Sequence, residues 1–271
     1  MNAPTDRASR DDWDRHWHEH AASNALNPAQ AYRRMLIFSA LGLERAPAPV
    51  RLLEIGSGQG ELSAEIACLY PNVDLVGVDL SHTGIAIAQA KVPSATFLRL
   101  DLTKPMPIPD RYRGWATHAV CSEVLEHLDE PALALRNVRA CLAPGATVVI
   151  TVPAGPMSAF DRHIGHRDHF TVARLEQVLA SAGLEVEAVR GAGFPFFNLY
   201  RLAVIARGRR LIADAAGDLP GPARAAIWAF SQLFRLNSAK GSRGWQLFAV
   251  ARESANSSNS GAPAQATAQS S

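Results

Sequence analysis

Two short segments of this chain carry side chains able to move a proton or hold a cation. In Glu123-Val-Leu-Glu126-His127, a helix beginning at Glu123 would put positions i, i+3 and i+4 on one face. Two carboxylates and an imidazole would then cluster within one turn. The second segment is Phe160-Asp161-Arg162-His163-Ile-Gly-His166-Arg-Asp168-His169-Phe. Histidine titrates near neutral pH, so His127 and His166 are candidate general bases. A mixed carboxylate and imidazole set also suits a Lewis-acid cation such as magnesium, through Glu123, Glu126 and His127 with His166 or His169 as a later ligand. The plainer reading is local: Glu123 favours a helix N-terminus by its charge, Glu126 and His127 pack against neighbours, and the histidine loop is solvated.

Upstream lies a turn built for a ligand. The apolar run Leu52–Ile55 leads straight into Gly56-Ser57-Gly58-Gln59-Gly60, and a helix-like stretch follows from Glu61. A strand that turns into a helix on glycines exposes backbone N–H groups and lets a ligand approach closely. The dinucleotide fingerprint Gly-x-Gly-x-x-Gly is not met, because residue 61 is Glu. Glu54 just before the turn is poor company for a diphosphate and good company for an ammonium group. The next two strand tips are also acidic, Asp79-Leu80 and Asp101-Leu102. One carboxylate at such a tip can accept both hydroxyls of a ribose, and another an adenine amino group. Taken singly, each Asp reads as a helix cap or turn former.

The elements that must position these groups alternate. Strand-like runs fall at 51–55, 73–79, 95–100, 117–121, 146–152, 184–190 and 245–251, and helical stretches at 11–24, 29–43, 60–69, 82–91, 123–142 and 171–182. Such alternation implies right-handed crossovers and a parallel, doubly wound α/β sheet whose ligands sit at the carboxyl edge. The expected organisation is a disordered N-terminus at 1–10, a helical cap at 11–48, a main domain at 49–252 and a disordered tail at 253–271. The main domain includes a helical insertion at 191–243.

In this order, Leu-Glu-Ile-Gly-Ser-Gly-Gln-Gly (53–60), Val-Gly-Val-Asp-Leu-Ser (76–81), Leu-Arg-Leu-Asp-Leu (98–102), Cys-Ser-Glu-Val-Leu-Glu-His-Leu (121–128) and Leu-Ala-Pro-Gly-Ala (142–146) resemble the class I S-adenosylmethionine-dependent methyltransferases. The resemblance covers about residues 50–190, with 245–251 as the family's last, antiparallel strand. It implies a Rossmann-like seven-stranded sheet and S-adenosylmethionine as cofactor. Glu54, Gly56, Ser57, Gly58 and Gly60 should face its methionine part, Asp79 with Leu80 its ribose, and Asp101 with Leu102 its adenine. Ser122 should border cofactor and acceptor. The Glu-x-x-Glu-His segment is similar to that of ubiquinone-biosynthesis O-methyltransferases and small-RNA 2′-O-methyltransferases, where it is linked to a divalent metal. Oxygen is the expected methyl acceptor, on a small-molecule or lipid-like substrate of the kind met in secondary metabolism. The alternatives are RNA 2′-O-methylation, which no recognisable RNA-binding module supports, and a catalytically silent partner subunit that binds cofactor.

Composition sets the bounds. The chain has 271 residues, 48% of them hydrophobic and 19% charged, as in a soluble globular protein. The three cysteines, Cys68, Cys121 and Cys141, lie in apolar stretches without metal spacing and read as buried thiols of a reducing compartment. No signal core and no run of about 18 apolar residues is present, so a cytoplasmic location is expected. The net charge of +2 hides an asymmetry, since residues 194–243 hold eight basic and two acidic residues among many aromatics. That mixture suits contact with the inner face of an anionic membrane, a pocket for an anionic lipid-like substrate, or an ordinary helical subdomain. Trp13 and Trp17 share a face of the first helix and would dock it on the domain or close over the site; His16, His18 and His20 read as exposed.

Overall fold

A computed structural model describes residues 13–14, 28–104, 109–208, 230, 232–238 and 241–255. In chain order the elements are α1 (Pro28–Leu41), β1 (Arg51–Ile55), α2 (Glu61–Leu69), β2 (Asp74–Asp79), α3 (His82–Lys91), β3 (Thr96–Arg99) and β4 (Ala116–Ser122). They continue with α4 (Pro131–Arg139), β5 (Leu142–Pro153), α5 (Ala159–His163), α6 (Val172–Ser181), β6 (Leu184–Ala192), α7 (Phe196–Arg207) and β7 (Gln246–Glu253). The strands form one seven-stranded sheet in the order β3-β2-β1-β4-β5-β7-β6. β1 pairs in parallel with both β2 and β4, while β7 runs antiparallel between β5 and β6. The order reverses at β1, which opens a crevice at its carboxyl end beside β4, where open α/β sheets bind ligands.

The period of two along the central strands divides the core. Leu52, Val120 and Val149 point to the face covered by Ile37 and Leu41 of α1, Ile66 of α2 and Ala88 of α3. Leu53, Ile55, Cys121 and Ile150 point to the opposite face, under Leu135 and Val138 of α4 and Leu175 and Leu179 of α6. Both faces are apolar because helices cover both, as a parallel sheet requires. Truncating a fully buried member such as Leu52 or Leu175 to Ala should cost about 2–5 kcal/mol. A third cluster packs Tyr32 and Leu36 of α1 against Phe197 of α7, Phe234 and Phe248.

Several expectations change. The helix expected over 123–142 is absent at its start: Glu123 adopts φ 56°, Leu125–His127 form one 3-10 turn, and the α-helix begins only at Pro131. Proline suits the first helical position, where its missing N–H costs nothing. The strand expected at 146–152 begins at Leu142, and its pairing with β4 shifts register between Ala116 and His118. Glu253 is strand rather than tail; it is buried and takes a two-armed ion pair from Arg139 of α4, at 2.6 and 2.8 Å. Cys68 is exposed on the outer side of α2, whereas Cys121 and Cys141 are buried as expected. Most of the first expected helix, with Trp17, His16, His18 and His20, lies outside the described residues, as do residues 1–10, 209–229 and 256–271. No described helix is long and apolar enough to cross a membrane.

Candidate active site

The glycine turn supplies the floor. Gly56, Gly58 and Gly60 have φ of 77°, 51° and 75°, the left-handed region that side chains resist. A Cβ on Gly56 would lie 2.2 Å from Val124 Cγ2, so the segment after β4 packs directly on the turn. The turn is tied to β2: the Gly56 and Ser57 amides donate to Val78 O at 2.8 and 3.0 Å, and the Gly58 amide donates to Asp79 Oδ2 at 2.7 Å. The Ser81 amide donates to Asp79 Oδ1 at 2.8 Å. Burial still raises the Asp79 carboxyl above its usual range, against the pull of these amides. Glu54 is buried, accepts the Ser63 hydroxyl and has its pKa pushed up to about 8, first by burial and then by the charge of Asp79. The Ser57 hydroxyl is buried and has no hydrogen-bond partner among the described residues. Leu80 is exposed at the β2 tip and Leu102 is buried near the β3 tip.

Asp101 stands apart from these. Its Oδ1 accepts the Thr103 amide and hydroxyl, and Oδ2 meets Lys104 Nζ at 2.6 Å. Burial pulls its pKa up, but Lys104 and Thr103 pull it further down, so the carboxylate is engaged in its own turn. Trp13 and Asp14 also reach this region. Asp14 Oδ1 accepts the Ser81 hydroxyl at 2.6 Å and the Thr83 amide at 2.9 Å, which hold its pKa low, and Trp13 meets the His127 ring edge-on at 4.7 Å.

Beyond the turn, the sequence candidates assemble differently from a helical face. Glu123 turns away toward Arg33 Nη1 at 3.2 Å and Gln246 Nε2 at 2.9 Å, and also accepts the Thr151 hydroxyl, which is linked to Ser122 Oγ at 2.8 Å. Glu126 points inward, 1% exposed, with neither carboxylate oxygen hydrogen-bonded among the described residues. Burial, then the charge of Glu123, raises its pKa well above the carboxylate range. The His166 loop is stitched over it by the Arg167 amide, which donates to Glu126 O at 2.8 Å. The His127 and His166 rings meet edge to face at 4.8 Å, and His166 Nε2 lies 4.0 Å from Glu126 Oε1. Burial, followed by His127, depresses the His166 pKa. The donor atoms of Glu126, His127 and His166 lie within 4.8 Å of one another, and so do those of Asp161, His166 and His169. Glu123 belongs to neither group, which corrects the expected ligand set of Glu123, Glu126 and His127.

Arg33, Gln246, Thr151, Arg201 and Asp14 were invisible from motifs. Gln246 left one trace, a buried polar side chain opening the apolar strand Gln-Leu-Phe-Ala-Val. Arg201 lies in the basic segment, and it forms a two-armed pair with Asp161, at 3.1 and 2.7 Å.

A seven-stranded sheet with this order, an antiparallel β7 and a glycine turn facing an acidic β2 tip defines the class I S-adenosylmethionine-dependent methyltransferase architecture. The protein family described as a methyltransferase domain matches residues 28–189, and the chain belongs to it. The chain is 27% identical over 171 residues to the ubiquinone biosynthesis O-methyltransferase of Aeromonas salmonicida, covering 56% of this chain and 70% of that one. It is 29% identical over 115 residues to the trans-aconitate 2-methyltransferase of Methylobacterium nodulans, covering 41% of this chain and 42% of the relative, so the chain spans less than half of that enzyme. Among solved structures, Haemonchus contortus phosphoethanolamine N-methyltransferase 2, in complex with S-adenosyl-L-methionine, superposes with a TM-score of 0.55 at 18% identity, covering 82% of this chain and 52% of that one. That likeness is one of fold.

Proposed function

We propose that the protein transfers a methyl group from S-adenosylmethionine to an oxygen of a small-molecule or lipid-like acceptor, with His166 taking the acceptor's proton. The observation that carries this reading is the half-buried His127–His166 pair, which Val124 and Glu126 tie to the glycine turn. The residues present fit the cofactor. Glu54 is a buried carboxylate in want of a cation, the Ser57 hydroxyl lacks a hydrogen-bond partner among the described residues, and Gly56 leaves only backbone on the turn's surface. Glu54 would balance the ammonium group and Asp79 the ribose hydroxyls. When bound, S-adenosylmethionine supplies an electrophilic methyl group on a sulfonium. The chain then has to hold the acceptor oxygen in line, exclude water and receive a proton. Trp13 packs on His127, and burial keeps His166 neutral; because the same burial weakens it as a base, proton uptake has to accompany the acceptor's attack on the methyl group. Methyl transfer from radiolabelled cofactor into host extracts identifies the acceptor. With it, His166→Ala should lower kcat about 10²–10⁴-fold while cofactor binding persists. Wild-type turnover in the His166→Ala variant would remove His166 as the base.

A second reading is favoured by Glu126, whose two buried oxygens have no hydrogen-bond partner among the described residues. A divalent cation held by Glu126, His127 and His166 would satisfy them and lower the acceptor's pKa as a Lewis acid. Calorimetric titration of the chelated protein with magnesium, manganese and zinc tests it, and no binding by any of the three sinks it. The lipid-like acceptor draws support from α7, which exposes Leu199 and Leu202 beside exposed Phe194 and Leu236, with Arg207 and Arg235 nearby in sequence. Co-sedimentation with anionic but not neutral liposomes would support docking at an anionic membrane face, and binding to neither removes it.

A further inference from the structure

We infer that His169 is a positioning residue that fixes His166 in the tautomer with its proton on Nδ1, leaving Nε2 as a bare lone pair facing Glu126. The inference deepens the proposed role of His166 and depends on it for its catalytic meaning, though not for its geometry.

The argument starts at a backbone carbonyl. His169 Nδ1 lies 3.0 Å from Gly155 O. A carbonyl only accepts, so Nδ1 must carry hydrogen. Turning the ring over would put carbon against that carbonyl and against His166, losing both bonds. Next, the ring is neutral. Asp161 is the nearest carboxylate, but Arg201 grips both of its oxygens, and the Ser158 amide donates to Oδ2 at 2.7 Å. His169 therefore faces a closed ion pair rather than a free anion, and its Nε2 stands 3.7 Å from Asp161 Oδ2, too far for a hydrogen bond. Burial disfavours the cation as well. A neutral ring with hydrogen on Nδ1 has a bare Nε2.

That bare nitrogen lies 3.2 Å from His166 Nδ1. Two bare nitrogens at that distance would repel, so His166 Nδ1 must donate. Among the described residues no carboxylate comes within hydrogen-bond reach of its other ring nitrogen, so nothing in the geometry holds a second proton there. Its remaining nitrogen, Nε2, is then unprotonated, and it is the one that lies 4.0 Å from Glu126 Oε1. The loop that carries both rings is held in place locally. Ser158 and Asp161 form a reciprocal capping box at α5, and the His166 amide donates to Asp161 O at 2.9 Å. The Arg201–Asp161 pair thus has a use: it silences the carboxylate that would otherwise draw a proton onto His169 and reverse the relay. When His166 Nε2 takes up a proton, the imidazolium that forms already donates from Nδ1 to His169, and such charge-assisted bonds are about twice as strong as neutral ones.

The tautomer can be read without knowing the substrate. The full-length, chelator-treated, ¹⁵N-labelled protein would be examined by long-range ¹H–¹⁵N correlation spectroscopy, with His166 assigned from the peaks missing in His166→Ala. The expected result is hydrogen on His166 Nδ1 and an unprotonated Nε2. His169→Phe removes the acceptor and should shift His166 toward the Nε2–H form. His169→Gln, whose side-chain oxygen reaches the place of the lost Nε2, should restore the Nδ1–H form, which a merely structural role would not do. A wild-type His166 protonated on Nε2 overturns the inference even if no variant folds. So does an unchanged tautomer in His169→Phe. If the tautomer is as stated but His166→Ala keeps full turnover, the geometry stands and the catalytic reading fails, so the two failures are distinguishable.

Discussion

Replacing Glu54 with Gln separates the buried carboxylate's cost from its use. Glu54 is fully enclosed, its folded pKa is raised to about 8 from a usual 4.5, and its one side-chain donor is Ser63. An acid whose pKa rises on folding holds its proton longer in the folded state. Between the two pKa values the folded chain therefore binds more protons than the unfolded one, and stability falls as pH rises through that window. Each unit is worth about 1.4 kcal/mol, so the ligand-free protein should lose about 4 kcal/mol from this group between about pH 5 and about pH 8. Asp79 and Glu126 shift in the same direction, so the wild-type slope is not Glu54's alone. The difference between wild type and Glu54→Gln isolates it: near equality at about pH 5, with the variant about 4 kcal/mol more stable at about pH 8. Urea unfolding across that range measures it. S-adenosylmethionine should reverse the sign of the effect. A cation beside Glu54 favours its ionised form, so wild-type affinity should rise with pH over the same window while the variant binds weakly and without that slope. Parallel stability profiles for the two proteins would refute the reasoning.

Gly56→Ala brings a Cβ to 2.2 Å from Val124 Cγ2 at φ 77°, and strain plus overpacking should cost about 2–4 kcal/mol, read by thermal unfolding, together with loss of cofactor binding by calorimetry. Arg201→Met leaves Asp161 charged and 1% exposed without its partner, and should destabilise by about 3–5 kcal/mol in urea. A thiol reagent should modify Cys68 alone in the native protein, with Cys121 and Cys141 reacting only after unfolding; burial also holds those two thiol pKa values up.

The sheet was legible because its signals are local. The apolar runs of β1 and β2 end at Gly56 and Asp79, and each strand tip that was expected near the cofactor lies on one edge of one sheet, with β7 antiparallel as the resemblance implied. The failures have local causes too. Glu123 to His127 matches a helical spacing, but Glu123 is drawn out by Arg33 and Gln246, and Pro131 supplies a better helix start eight residues on. Asp101 is not such a failure: Thr103 and Lys104 engage its oxygens, as the turn-former reading allowed, and its place beside adenine stays a proposal. Cys68 sits in an apolar stretch of α2 but on the side turned from the sheet; the stretch is apolar beyond what the buried face needs.

On the proposed function the site has a cofactor half and an acceptor half, and the two differ in how their information is stored. The cofactor half is mostly backbone: three glycines at positive φ, amides bound to Val78 and Asp79, and one buried carboxylate, nearly all within residues 54–81. Such a unit is contiguous, so a motif can describe it. The acceptor half is assembled from side chains that meet only after folding: Arg33 from α1, Glu126 and His127 after β4, His166 and His169 after β5, Arg201 from α7 and Gln246 from β7. These residues come from separate elements, so no contiguous motif spans them. Substrate choice should therefore follow the acceptor half. A chain that keeps residues 54–81 but replaces His166 and His169 should retain cofactor affinity while losing turnover on this protein's acceptor. A swap of residues 155–170 from a relative with a known acceptor puts that to the test. If turnover on the original acceptor survived the swap unchanged, specificity would have to reside elsewhere, and the division argued here would fall.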